Sequence, residues 1–330
     1  MNISNPSHTW LRRTCFLLAL SPLFVCAQPA IETYPTKPIR MIIGFPAGGP
    51  TDAVGRAIAQ KLSQRLGQQV IVENIAGVGA NLGAQAVARS APDGYTMHYN
   101  TSTLAIAPSI YPKLGYHPVK DFSPVVLTAE VPLVLVVNPS VKAETPNDLV
   151  ALIQKQPGRF NYGSSGNGTI EHLALAQFVS TYKLDAAHVP YKGVAPAVMD
   201  LIAGQTQFGM TSLNTALPYI KDGRLKALAV GSKTRSKALP SIPTMSESLS
   251  ANFVYTAWQG ILFPRGTPPA IVEKMNRTVN DVLNDEALRQ QLSAQGVDVI
   301  GGSADQYATF IKSELGRWAE AAKVSGARAQ

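Results

Sequence analysis

Cysteine is nearly absent from this chain. Two occur in 330 residues, Cys15 and Cys26, and both precede residue 28. The chain beyond them has no disulfide, no thiol nucleophile and no cysteine-ligated metal, so packing alone must stabilise it. A second long apolar run is missing too. The one present, residues 14–25, follows Arg12-Arg13 and is too short to span a bilayer with ease, so residues 1–27 read as an export leader and the mature product as soluble. Val25-Cys26-Ala27 supplies the small residues that a signal peptidase reads, which sets cleavage after Ala27. A lipid anchor on Cys26 is the alternative, opposed by Val25 where Gly, Ala or Ser is expected. Arg12-Arg13-Thr14-Cys15-Phe16-Leu17 leaves twin-arginine and general export both open.

Concentrated charge is the next absence. The net charge is +8, or +6 without Arg12 and Arg13, but Lys and Arg are scattered apart from Lys233, Arg235 and Lys237. That distribution fits a solvated surface, and an exported chain is not expected to meet nucleic acid. No G-x-x-x-x-G-K-[ST] loop exists. Gly77-Val78-Gly79-Ala80-Asn81-Leu82-Gly83 is one residue too long for a dinucleotide fingerprint, and its acidic follower, Asp93, sits in a turn. His98, His117, His172 and His188 lack metal-ligand spacing. No cofactor and no metal are expected.

What is present is a strand, a glycine-rich turn and an amphipathic helix over residues 39–66. Residues 40–45 are short, apolar and bounded by Pro38 and Pro46, as a buried strand should be. Gly48 and Gly49 allow a close backbone approach, Pro50 suits the first helical position, and the free amides of the first helical turn form an anion site. Strand–helix alternation continues to Asn100, which predicts a parallel sheet with ligands at the carboxyl ends of its strands. The plan then repeats. A strand at 159–162 ends in Gly163-Ser164-Ser165-Gly166-Asn167-Gly168-Thr169, followed by a helix over 170–182.

With 303 residues after the leader, two domains are expected: 28–128 with 248–330, and 129–247. Two strands, separated at Glu130-Val131-Pro132, make the first crossing between them. Two helix N-termini would then face each other across a cleft and hold a carboxylate through backbone amides and the hydroxyls of Thr51, Ser164, Ser165 and Thr169, since neither turn contains Lys or Arg. Asp52 is expected to cap its helix or hold a water, and a β-branched residue at Gly49 or Gly166 to weaken binding far more than folding. Trp258 is a core aromatic that could reach the cleft.

The motifs resemble the Bug family, the periplasmic substrate-binding proteins of tripartite tricarboxylate transporters. The resemblance rests on Phe45-Pro46-Ala47-Gly48-Gly49-Pro50-Thr51-Asp52, Val72-Glu73-Asn74, Pro92-Asp93-Gly94-Tyr95-Thr96, Ser164-Ser165-Gly166 with His172-Leu173, Val189-Pro190-Tyr191-Lys192-Gly193 and Trp258-Gln259-Gly260. It implies a bilobal periplasmic-binding-protein fold of type II-like plan, two doubly wound α/β domains joined by two crossover segments. It also implies a small carboxylate held with bridging water. The residues carried over are Phe45, Ala47, Gly48, Gly49 and Asp52 from one turn and Ser164, Ser165, Gly166, Gly168 and Thr169 from the other, with Ser102, Thr103 and Thr211 as further cleft candidates. Two departures stand out: Ala80 for a usual glycine, a packing change, and Thr211 where the family often has aspartate.

The expected function is capture of an organic acid by a periplasmic monomer and its delivery to integral membrane transporter subunits, without chemistry. A ligand-sensing module is the alternative, and a secreted hydrolase using Ser165 with His172 or His188 a further one.

Overall fold

The computed structural model describes residues 1–3, 33–249 and 253–325. Apart from residues 1–3, the leader, with Cys15, Cys26 and the cleavage point after Ala27, lies outside the described residues.

The chain opens with β1 (Ile39–Ile43), α1 (Pro50–Leu66), β2 (Val70–Asn74), α2 (Asn81–Ala88) and β3 (Thr96–Thr101). A short helix, α3 (Thr103–Ile110), follows; it ends two residues beyond Pro108, whose ring cannot sustain a helix interior. Then come β4 (Phe122–Val137), α4 (Pro146–Lys155), β5 (Phe160–Ser164), α5 (Ile170–Thr181), β6 (Ala186–Pro190), α6 (Val194–Ile202), β7 (Phe208–Ser212), α7 (Leu213–Lys221) and β8 (Lys226–Val230). The chain closes with α8 (Met245–Ser248), β9 (Thr256–Pro264), α9 (Pro269–Leu283), α10 (Glu286–Ser293), β10 (Asp298–Val299) and α11 (Ala304–Ser325).

Two sheets share one strand. In the first, β2, β1 and β3 run parallel and β9 runs antiparallel between β3 and β4. In the second, β6, β5 and β7 run parallel, with β4 antiparallel between β7 and β8. The predicted pair of strands around Glu130-Val131-Pro132 is therefore a single 16-residue strand, β4. Pro132 marks the changeover: it pairs with Thr256 in the first sheet, and Leu133 pairs with Ser212 in the second. Proline cannot donate to a ladder but tolerates extended backbone, so it fits a point where one sheet ends and the next begins.

Both sheets follow the same order, with a central strand flanked by its successor on one side and a later parallel strand on the other. β1 and β5 are those central strands. The strand order reverses beside each of them, which leaves a crevice at its carboxyl end. The lobes meet where Leu133 N–H donates to Tyr255 O, Tyr255 N–H to Gly231 O and Gly231 N–H to Leu133 O, at 2.9, 2.7 and 2.6 Å. A side chain at Gly231 would approach Tyr255 O to 2.7 Å, so only glycine fits there. The larger apolar core runs from β1 through Trp258, Tyr255 and Phe253 to Phe178 and Phe208, continuous across both lobes. Trp258 belongs to it, fully buried, with its Nε1–H donating to Glu314 Oε2 at 2.8 Å; it does not reach the cleft.

Candidate functional site

The first turn, residues 44–49, leaves β1 and is fixed from below. Gly48 sits at φ +78°, and Gly49, at an ordinary φ of −77°, is the N-cap of α1. Asp52 is 2% exposed, and its Oδ2 accepts from Gly48 N–H at 2.9 Å and Arg56 Nε at 2.8 Å, while Oδ1 accepts from Asn74 Nδ2 at 2.9 Å. Asn74 Nδ2 also donates to Phe45 O. Burial alone would raise the Asp52 carboxyl, but the bonds from Arg56, Gly48 and Asn74 outweigh it and hold the group below the usual carboxylate range. Asp52 thus ties the loop down one residue ahead of the N-cap instead of capping α1.

The second turn, residues 163–169, leaves β5 in the same way but with a different support. Thr169 Oγ1 donates to Gly166 O at 2.8 Å, and Ser164 Oγ lies 2.7 Å from His188 Nε2. His188 stacks on His172, with ring centroids 4.2 Å apart, and His172 Nδ1 accepts from Gly168 N–H at 3.1 Å. Burial, with a contribution from His172, pushes His188 down to about 4. Ser165 Oγ donates instead to Glu171 Oε2, at 2.7 Å. Burial pushes the Glu171 carboxyl up, against hydrogen bonds from Ser165 and its own backbone N–H.

The two turns close on one cavity of about 140 Å³. Phe45, Ala47, Gly48, Gly49, Thr51, Ser102, Thr103, Ser165 and Thr169 line it, so the structure brings together nine of the residues expected from sequence. Five others stand off its wall. Asp52 lies beneath its loop, and Ser164 and Thr211 line a small recess behind the cavity. Gly166 borders an adjoining 600 Å³ space beside residues 76–80, which shares Phe45, Pro46, Ser165, Lys192 and Gly193 with the cavity, and Gly168 packs under Ile110 and Tyr111. Gly166 has φ +136°, so a branched residue there strains the fold as well as the site; Gly49 has an ordinary φ, and a side chain there would meet Pro46 O at 3.3 Å, the milder of the two substitutions.

Sequence reasoning missed Glu171, Lys192, Ser212 and Gln259, which also line the cavity. Gln259 follows Trp258 on β9, and alternation along the strand turns one inward to the core and the other to the cavity. The remaining signal was in the helix starts. The N-cap residues of five helices of eight residues or more, Gly49, Ser102, Thr169, Gly193 and Ser212, all line this cavity, and none makes a side-chain cap. Their first-turn amides add positive potential to one small space, with Thr103 N–H already donating to Thr101 Oγ1 and the Glu171 N–H to its own carboxyl. The lobes also touch directly: Tyr111 Oη donates to Asn167 O at 2.8 Å. Ala80 adopts φ +72° and packs directly against Gly44, the packing consequence of its missing glycine.

The Ser–His pair is not arranged for hydrolysis. Ser164 is 1% exposed and absent from the cavity wall, and Ser165, which is on the wall, bonds a carboxyl instead of a histidine.

Two α/β lobes of matching order, joined by two crossings and closed on a cavity at both switch points, define a bilobal periplasmic binding protein. The model of the tripartite tricarboxylate transporter family receptor matches residues 54–326, and the chain belongs to that family. It is 36% identical over 319 residues to Protein BugT of Bordetella pertussis, covering 94% of this chain and 98% of that protein. Among solved structures it is similar to periplasmic binding protein BugD, with TM-score 0.85 and 31% identity over 90% of this chain and 100% of BugD. It is also similar to R. palustris Rpa4515 solved with adipate, with TM-score 0.86 and 31% identity over 89% of this chain and 99% of that one. The chain is a periplasmic solute-binding receptor and not an enzyme.

Proposed function

We propose that the protein captures a small organic acid between its lobes and hands it, as a monomer, to the integral membrane subunits of a tripartite tricarboxylate transporter. The observation that carries this reading is the convergence of five uncapped helix N-termini on one cavity, a site built for an anion. The adipate bound to Rpa4515 supports a carboxylate as that anion. The lobes correspond to residues 28–128 with 248–330 and to 129–247, and the mature chain begins after Ala27. Phe45, Ala47, Gly48, Gly49, Ser102, Thr103, Ser165 and Thr169 hold the ligand. Asp52, Ser164, Gly166, Gly168 and Thr211 shape the loops around it.

A ligand can stabilise a closed form only through its greater affinity for it, so it must touch both lobes. Gly49→Val tests the site. Gly49 lines the cavity and its φ of −77° is open to valine, whose Cβ would lie 3.3 Å from Pro46 O. Calorimetry with a panel of mono- and dicarboxylates should show affinity falling by about tenfold or more, which is about 1.4 kcal/mol, with an unchanged unfolding transition. Unchanged affinity sinks the site assignment.

A further inference from the structure

A cavity that attracts anions carries an acid on its own wall. Glu171 and Lys192 are the only titratable side chains lining it among the described residues. Lys192 is exposed at the mouth; Glu171 is 6% exposed and deep, bonded by Ser165 Oγ. The donors around Glu171 are hydroxyl and backbone groups, with no cation among them. In its ionised form a carboxyl so placed is an acceptor only, with lone pairs to spare, and a donor brought by the ligand would offset the burial that pushes it up.

Behind Glu171 lies a recess of about 10 Å³, room for about one water-sized group. Ser165, Glu171 and Val194 belong to both spaces, so they form the passage between them. Thr206 Oγ1 and Thr211 Oγ1 line the recess, buried and without a hydrogen-bond partner. Thr206 is 1% and Thr211 5% exposed. Orphaned hydroxyls of this kind mark a place where a small polar group belongs.

We propose that Glu171 is a specificity-determining residue, selecting carboxylate ligands that carry a hydrogen-bond donor, an ammonium or a hydroxyl, over ligands bearing carboxylates alone. The inference rests on the carboxylate reading and narrows it. A bare dicarboxylate filling the cavity brings its own charge against a buried anion in a space poor in water. A donor substituent turns that repulsion into a charge-assisted hydrogen bond. It sits at the passage, with Thr206 and Thr211 behind it, while the ligand's carboxylate faces the helix N-termini and Lys192.

Matched ligands test it by calorimetry on the dialysed full chain: propionate, lactate and alanine; succinate, malate and aspartate. In the wild-type protein a donor-bearing member should bind about tenfold or more tighter than its bare counterpart, because an unpaired polar group left in the site is costly. Glu171→Gln, which keeps the shape and removes the charge, should erase most of that ratio and tighten the bare acid. A larger loss for the amino acid than for the hydroxy acid assigns the substituent as ammonium; equal losses assign it as hydroxyl. Bare acids binding as tightly as their counterparts in the wild type, a comparison that needs no variant, overturns the inference and leaves the carboxylate reading standing. An unchanged ratio in Glu171→Gln does the same. Binding by no member of the panel overturns both.

Discussion

The two glycine turns look alike in sequence and are supported in opposite ways. Each leaves the central strand of a sheet, opens a helix and carries an acid in that helix's first turn. Each is also backed by a histidine on the neighbouring strand: buried His98, whose Nδ1 is 3.0 Å from Ile42 O, and half-buried His188, 2.7 Å from Ser164 Oγ. The acids differ. Asp52 has Arg56 for a partner and lies off the cavity; Glu171 has no cationic partner among the described residues and lies on its wall. One acid is answered by a cation of its own lobe, and the other is the one that the proposal pairs with a donor of the ligand.

The largest expected effect tests the shared part of that comparison. Burial holds both histidines down to about 4, with His172 adding to the effect on His188. A group depressed from about 6.5 in the unfolded chain contributes stability that is full above that pH and is lost as pH falls through the native value. For fully buried His98 this amounts to about 3 kcal/mol, and for part-exposed His188 to less. Chemical denaturation from pH 7 to pH 4 should show a steep decline, flattened more by His98→Gln than by His188→Gln. Flattening by His98→Gln with none by His188→Gln would break the parallel between the two supports.

The next effect separates the acids. Asp52→Asn removes a carboxylate that holds a backbone amide, an arginine and an asparagine together, and should cost about 2 kcal/mol. Glu171→Gln neutralises a buried acid with no cation beside it and should change stability by no more than about 1 kcal/mol in either direction. Equal losses in the two variants would mean that Glu171 is as fully compensated as Asp52.

The smallest effect concerns a helix remote from both turns. α4 is closed by a capping box in which Thr145 accepts from Asp148 N–H, and α8 and α10 have side-chain caps as well; none of the three opens on the cavity. Thr145→Ala should cost about 1 kcal/mol in thermal unfolding and leave ligand affinity untouched. A change in affinity would remove the distinction between helix ends kept for the fold and ends kept for the ligand.

Much of this was legible in the sequence because it is local. Glycine pairs, Pro50 and the apolar strands before them announce both turns, and their repetition announces two similar units. Sheet sharing was not legible: Pro132 punctuates a strand in sequence, and only the pairing of Pro132 with Thr256 and of Leu133 with Ser212 shows the strand continuing. Glu171 was passed over for a related reason. An acid in the first turn of a helix is ordinary, and its meaning comes from burial by α6 and β7, elements far along the chain. Ser212 and Gln259 reach the cavity through strands that arrive later still. Local chemistry marked the cradle, and long-range packing set its walls.

β4 also governs how the receptor can move. A single unbroken strand threads both sheets, pinned at Leu133 by hydrogen bonds to Gly231 and Tyr255, so the lobes cannot slide past each other without tearing its ladders. What remains is rotation about the strand itself. In the capture we propose, β4 would serve as a torsion bar, with opening and closing taken up by a few backbone angles near Pro132.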